Sequence, residues 1–421
     1  MLFEYLYQAG MWFLEMGMHL GALFIPKVKK GVDGRKGLIE DLGRSFPELS
    51  KGRDVAWFHA ASLGEFEQGR PVIEAFREDY PEFFIILTFF SPSGFEVRKN
   101  YRGADYICYL PLDSRSNAKR FVEILKPKIV FFIKYEFWFN YLTELRKSGA
   151  SIISFSTIFR REQVFFKPYG GFYRRLLRFF DHILVQNMES LGLLESIGIV
   201  KCSIAGDTRF DRVKSIASGA RELSEIEAFI GNSTCMVAGS VWQADMDVLI
   251  PALNEARLPL KAIIAPHEIK QEQMKRWREA LQGQSILYSD YVRQASAQHF
   301  DYLIIDNIGM LSSLYRYGNV AYIGGSFGAG LHNILEAATF RLPVLFGNKN
   351  YQKFQEASDL IRQGGAIAIG NSSEVSSLLY KLVEDVTLRE KMGLISEQYV
   401  LSRTGATELV LKEVKTLLTA R

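Results

Sequence analysis

The sequence predicts an α/β protein of two halves, each a mostly parallel sheet covered by helices, with an apolar membrane-anchoring helix in front. Three observations carry this. Strand-like and helix-like patterns alternate along most of the chain, which implies parallel strands joined by crossover helices. The 421 residues exceed one ordinary core and suit two α/β domains. A strand, a glycine-rich loop, a helix and another strand follow one another in Ala321–Phe346, AYIGGSFGAGLHNILEAATFRLPVLF.

Composition narrows the class. With 48% hydrophobic and 23% charged residues the chain is globular, neither disordered nor a polytopic membrane protein. A net charge of +4 implies no nucleic-acid partner. Cys108, Cys202 and Cys235 are scattered and form no CxxC pair, which argues against a disulfide framework or a structural zinc site and for a reducing compartment.

Residues 1–25 are apolar and aromatic, interrupted by Glu4, Glu15 and His19. The length just suffices to span a bilayer, but buried carboxylates oppose spanning. No cationic n-region or small-residue cleavage site marks a cleaved signal. Lys27, Lys29, Lys30, Arg35 and Lys36 follow, so residues 1–30 read as a surface-lying or inserted anchor with a basic cytoplasmic flank. An aromatic-rich core helix is the competing reading.

From Asp54 the alternation begins. Val55–His59, Phe83–Thr88, Lys128–Ile133, Ser151–Phe155 and His182–Val185 read as strands, with helical patterns such as Ser116–Leu125 and Phe137–Ser148 between them. Ligands gather at the carboxyl ends of such strands, here the loops His59–Glu67, Thr88–Gly94 and Lys134–Asn140. Between Phe159 and Phe180, Arg160, Arg161, Lys167, Arg174, Arg175 and Arg178 alternate with eight aromatics. That pattern can bind single-stranded nucleic acid, and it equally suits an anionic lipid surface or a solvated amphipathic helix on the protein's own core; the similar character of the N-terminus favours the membrane. A boundary falls at Gly206–Ala220, where apolar periodicity is lost. A second series follows: Thr234–Gly239, Lys261–Ala265, Tyr302–Ile305, Val320–Ile323, Val344–Phe346 and Ala366–Ile369, and Glu374–Ala420 is helical. The expected domains are therefore 1–30, 31–210 and 211–421, the last helices being candidates to pack back on the N-terminal domain. Two Rossmann-like halves facing across a cleft make the GT-B architecture of nucleotide-sugar glycosyltransferases the natural candidate.

Several residues can carry chemistry. In the opening stretch, Gly324, Gly325, Gly328 and Gly330 permit close backbone approach, and a helix start there suits a phosphate. Glu336 lies one turn beyond Asn333 and can bind a ribose hydroxyl pair. Glu65, in HAASLGEFEQGRP, falls at a helix start. That placement favours an ionised carboxylate able to act as general base, or one that merely complements the dipole. Glu136 in IKYEFWFN and Arg209 in GDTRFD are an acid and a cation suited to orienting or stabilising developing charge, or a plain ion pair. His267 follows a strand end, Ile308-Gly309-Met310 opens a helix, and Ser240 marks the equivalent turn after the first strand of the second half. Asp245-Met246-Asp247 is a DxD triplet but lies in a helical pattern, Gln243–Leu253, so neither it nor the six scattered histidines predicts a metal.

Taken together, HAASLGE, YEFWFN, AGSVW, GGSFGAGLHNILEAA and PVLFG resemble the Kdo transferases, in order from about residue 10 to residue 400. The resemblance implies a GT-B fold and CMP-Kdo as donor. It implies a lipid A precursor (lipid IVA) as acceptor, inversion at the anomeric carbon, and neither metal nor cofactor. It also implies attachment to the cytoplasmic face of the inner membrane during lipopolysaccharide assembly. The family's catalytic base falls on Glu65, its transition-state stabilisers on Glu136 and Arg209. CMP contacts fall on Pro266, His267, Ile308, Gly309 and Met310, and on Asn333, Ile334, Leu335 and Glu336, with Ser240 beside them. The sequence departs from the family pattern at Arg209 (commonly Lys), at Ala265-Pro266-His267 (commonly Pro-Arg-His), and at Lys134 (commonly acidic), Phe139 (commonly Pro) and Leu331 (commonly Gly). The competing readings are another GT-B nucleotide-sugar transferase or epimerase, and a non-catalytic membrane-bound nucleotide- or lipid-binding protein.

Overall fold

The computed structural model describes residues 2–256, 259–293, 299–328 and 330–419. Ala329 of the glycine loop and Ala420, placed above in the last helix, lie outside the described residues. Two compact units emerge, one of residues 1–212 and 404–421, the other of residues 213–403.

The first unit holds seven strands: β1 (Val55–Ala60), β2 (Phe84–Phe89), β3 (Tyr106–Tyr109), β4 (Ile129–Ile133), β5 (Ser151–Thr157), β6 (His182–Val185) and β7 (Cys202–Ile204). They form one parallel sheet in the order β3-β2-β1-β4-β5-β6-β7. The central strands β1, β2, β4 and β5 are buried along their whole length, which is why they read as unbroken apolar runs rather than alternating ones. Phe58 and Phe131 stack across β1 and β4 with ring centres 4.1 Å apart. The helix Leu63–Asp79 packs on this face and runs through Pro71, where a kink or restart was expected. Gly69 lets the helix pack this closely on β4, because a Cβ there would stand 2.2 Å from Ile133 Cδ1.

The second unit repeats the plan with β8 (Thr234–Val241), β9 (Leu260–Pro266), β10 (Ser285–Leu287), β11 (Tyr302–Ile304), β12 (Val320–Ile323), β13 (Val344–Gly347) and β14 (Ala366–Ile369). Its parallel order is β10-β11-β9-β8-β12-β13-β14. The strand order reverses between β1 and β4 in the first sheet and between β8 and β12 in the second. At such a reversal, consecutive crossovers leave on opposite faces and open a crevice at the carboxyl ends of the strands. The stretch 206–220, expected as a boundary without periodicity, is in fact helical over Thr208–Ser218. Its Asp211 caps the last helix, Ala406–Thr419, accepting from Gly405 N at 2.6 Å and Thr407 N at 2.7 Å.

The first helix, Leu2–Gly21, docks by one face only. Tyr7 donates to Asp113 at 2.6 Å, Gln8 to Asn140 at 2.7 Å, and Arg175 to Glu4 at 2.7 Å. Asp113 also accepts from the backbone of Asn140 and Tyr141, while burial pushes its carboxyl up to about 7. Trp12, Phe13, Leu20, Leu23 and Phe24 stay exposed, Phe24 at 83%. Among the described residues no helix is long and apolar enough to cross a membrane. The basic aromatic segment 159–180 is more structural than its composition suggests. Phe159, Phe165, Phe172 and Phe180 are buried, and Arg174 donates to the carbonyls of Phe165 and Lys167. Tyr169, Arg160, Arg161 and Arg178 remain at the surface.

Candidate functional site

In the first unit, the predicted acids follow the two strands that flank the reversal. Ser62 is the N-cap of the helix after β1; its Oγ accepts from Gly64 N at 3.3 Å and donates to Glu65. The Ser-x-x-Glu spacing is that of a capping box, so Glu65 is fixed in the first helical turn, half-buried. Tyr135 feels its charge, together with those of Arg160 and Asp207. Burial raises the Tyr135 phenol, the Arg160 cation opposes this, and the carboxylates of Glu65 and Asp207 add to it. Asp207 is buried and holds Arg209, accepting from its Nε and a terminal guanidinium nitrogen, each at 2.8 Å, while Gln68 donates to it at 3.1 Å. The predicted cation is therefore tethered by an acid two residues before it.

Glu136 sits in the turn after β4, where Lys134 adopts a left-handed φ of 72°. Its Oε2 receives Trp138 Nε1 at 2.7 Å and lies 3.2 Å from His59 Nε2. On the other side of the ring, His59 Nδ1 lies 2.8 Å from Thr88 Oγ1, which accepts from Trp57 Nε1 at 2.8 Å.

In the second unit, Ser240 takes φ 54° at the end of β8, and its carbonyl lies against Gly324, where a Cβ would come within 2.4 Å. Only glycine lets the loop after β12 meet the turn after β8 this closely. Three rings then assemble. Trp242 stacks on His267 at 4.4 Å, His267 on His332 at 4.3 Å, and Trp242 donates from Nε1 to His332 Nε2 at 3.0 Å. Burial and the neighbouring His267 lower the His332 imidazole to about 4, so the ring is neutral with its proton on Nδ1. Pro266 ends β9, and His267 N donates to Val241 O at 3.0 Å.

Asp245 of the DxD triplet is fully buried and accepts from Trp242 N, Gly325 N and Tyr322 OH, at 2.8, 2.9 and 2.9 Å. It is a strut joining the turns after β8 and β12. Among the described residues no group of three His, Cys, Asp or Glu side chains is placed to hold a metal ion.

The remaining predicted residues divide. Asn333 is exposed, accepts from Leu335 N at 3.2 Å and donates to Glu336 at 3.1 Å. The helix expected over 334–340 is a single turn, Leu335–Ala338; Arg341 at φ 60° and Pro343 end it, so little dipole accumulates. Ile334 and Leu335 bury their side chains, which leaves them only backbone groups for a ligand. Ile308 is 92% exposed, and Gly309 takes φ 93° beside Met310. Sequence reasoning missed Trp242, Asp207, Tyr135 and the buried His59. A polar ring near the end of an otherwise apolar strand, VAWFHA, was the available signal for the last.

Residues 33–212 match the family model described as 3-deoxy-D-manno-octulosonic-acid transferase (kdotransferase). The chain is 26% identical over 381 residues to the 3-deoxy-D-manno-octulosonic acid transferase of Chlamydophila psittaci (strain ATCC VR-125 / 6BC), covering 85% of each chain. It is 25% identical to that of Aquifex aeolicus (strain VF5), covering 86% of this chain and 97% of the relative. Among solved structures, the UDP-GlcNAc 2-epimerase from Neisseria meningitidis bound to UDP-GlcNAc superposes with TM-score 0.60 at 15% identity, over 86% of this chain and all of that one. Acinetobacter baumannii MurG does so with TM-score 0.55 at 13% identity, over 86% of this chain and 99% of that one. These likenesses establish the two-unit GT-B fold.

Proposed function

We propose, from the premise that this chain is a glycosyltransferase belonging with the Kdo transferases, that it moves Kdo from CMP-Kdo to lipid IVA with inversion and without a metal. The observation that carries the mechanism is Glu65, a carboxylate fixed by Ser62 in the first turn of the helix after β1. As CMP departs, positive charge develops at the anomeric carbon, as in glycoside chemistry generally. Glu65 removes the proton of the attacking acceptor hydroxyl. One base suffices for inversion, because no covalent intermediate has to form. Glu136 and the tethered Arg209 act on developing charge. The second unit holds the donor: Ile308–Met310 meets the base with apolar surface and backbone, Asn333 and Glu336 meet the ribose, and His267 and Ser240 lie toward the phosphate.

The acceptor is a lipid, and the half-docked first helix is the element suited to reach it. Exposed Trp12 and Phe13 on that helix, Leu23 and Phe24 just after it, and the basic residues of segments 1–30 and 159–180 support a position on the cytoplasmic face of the inner membrane. The test is direct. Mass spectrometry of lipid IVA incubated with CMP-Kdo and protein is expected to show added Kdo. CMP is expected to protect against thermal unfolding more than UDP does; stronger protection by UDP with no Kdo product would overturn the proposal.

A further inference from the structure

We propose that His59 is a positioning residue for Glu136. In this role it clamps one carboxylate oxygen from the buried end of β1, so that the other oxygen is the one left for substrate. The inference rests on the reading that Glu136 acts during transfer, and it adds a residue to which no role has been given above.

His59 is 0% exposed, and a buried imidazole needs partners for both nitrogens. It stands in register with Thr88 of β2 on one side and Phe132 of β4 on the other, so its two contacts cross three adjacent central strands. The proton positions follow from counting donors. An ionised carboxylate only accepts, so the 3.2 Å contact to Glu136 requires a proton on His59 Nε2. With that proton on Nε2 and Nδ1 bare, Nδ1 needs a donor, and the Thr88 hydroxyl at 2.8 Å has one proton to give. Its alternative acceptor, the Phe58 carbonyl, is more distant at 3.4 Å. The Thr88 oxygen is in turn satisfied by Trp57 Nε1–H at 2.8 Å. Every bond runs one way: Trp57 to Thr88 to His59 to Glu136.

At the far end, Trp138 Nε1 delivers a second donor to the same Oε2 at 2.7 Å. Two ring N–H groups on one oxygen fix the carboxylate's rotation. Trp138 is itself packed against Phe90, ring centres 5.1 Å apart. A merely space-filling histidine would need neither the tautomer nor the second donor on the same atom.

The experiment compares H59L, H59Q, E136Q and H59L/E136Q in the full chain, with near-ultraviolet circular dichroism to confirm folding. H59L is expected to lower kcat about 10²-fold, the cost of a carboxylate misplaced by about 1 Å, with KM within about twofold. H59Q, which restores an N–H toward Glu136, is expected to recover most of that loss. H59L/E136Q is expected to be no slower than E136Q, because coupled residues are not additive. Additive kinetics, or an H59Q as slow as H59L, would overturn the proposal. Should H59L not fold, ¹⁵N spectra of histidine-labelled wild type decide: the Nε2–H tautomer of His59 is expected, and the Nδ1–H tautomer would refute the clamp. If wild type transfers no Kdo at all, the functional reading fails, whereas the tautomer still tests the clamp.

Discussion

Glu65 has two jobs in this account, and two substitutions separate them. As the acid of a capping box it accepts from Ser62 Oγ while Ser62 accepts from Gly64 N. As the proposed base it takes a proton from the acceptor. Glu65→Gln keeps the first role, because glutamine serves equally in a capping box, and its amide oxygen still accepts from Ser62. Glu65→Ala loses both. Capping losses cost about 1 kcal/mol, and in a unit of this size about 1 kcal/mol lowers the melting temperature by roughly 2–4 °C. Removing a general base costs about 10²–10⁴-fold in rate. Glu65→Gln should therefore melt within about 1 °C of wild type while losing transfer about as completely as Glu65→Ala. The assay pairs calorimetric melting with Kdo transfer to lipid IVA followed by mass spectrometry. A Glu65→Gln protein that retains near-normal transfer would refute the base assignment and leave Glu65 a cap. A Glu65→Gln protein that melts as low as the alanine variant would refute the capping geometry.

Other perturbations address other parts of the molecule. Replacing exposed Trp12, Leu23 and Phe24 together by Glu should weaken binding to anionic vesicles by about tenfold or more per apolar side chain lost from the interface, with CMP protection unchanged; undiminished vesicle sedimentation would exclude the N-terminal segment 1–30 as the lipid contact. Asp245→Ala strands three buried donors, Trp242 N, Gly325 N and Tyr322 OH, and should cost at least about 3 kcal/mol in denaturant unfolding of the second unit; EDTA should leave the wild-type melt unmoved. His332 is held neutral down to about 4, below its ordinary 6.5, chiefly by burial. A depressed base binds fewer protons folded than unfolded, so its stabilising contribution is present above pH 6.5 and lost as pH falls toward 4. Melting temperature should decline across that window, and His332→Asn should flatten the decline.

What the sequence made legible follows from burial. The central strands carry long apolar runs because both faces of a doubly covered sheet are inside, and β1, β2, β4, β8 and β12 could be read from that alone. The three strands missed, β3, β7 and β10, are three of the four edge strands, where one side lacks a partner and the apolar run shortens to three or four residues. The helix after the glycine loop was overread because Ile334, Leu335, Ala337 and Ala338 are apolar for packing, not because a long helix continues. Leu331, where the family pattern has glycine, is buried at 5% exposure; the departure serves the core. The eight aromatics of 159–180 looked like a surface because they alternate with cations, yet half of them are core residues, and Arg174 among the cations holds loop carbonyls.

The functional residues were harder to assemble, because strand order decides which loops meet and strand order is not written in local pattern. Glu65 and Glu136 are 71 residues apart in the sequence but follow β1 and β4, which are hydrogen-bonded neighbours. The glycine loop and the AGSVW turn are likewise far apart in sequence, yet they follow β12 and β8, also neighbours. In each sheet this is the pair at which the strand order reverses. Each crevice therefore receives one loop from the first strand of its unit and one from a strand added after the reversal. The loop from the first strand supplies the shorter, better braced element: Ser62 caps in the first unit, and Trp242 is pinned by Asp245 in the second. The loop from the later strand supplies a left-handed or glycine turn, Lys134 or Gly325, that brings Glu136 onto His59 or His332 onto Trp242. A backbone forced to positive φ is worth retaining only where the turn must return toward its neighbour. That requirement is what ties Lys134, a residue with no chemistry of its own in this scheme, to the placement of Glu136.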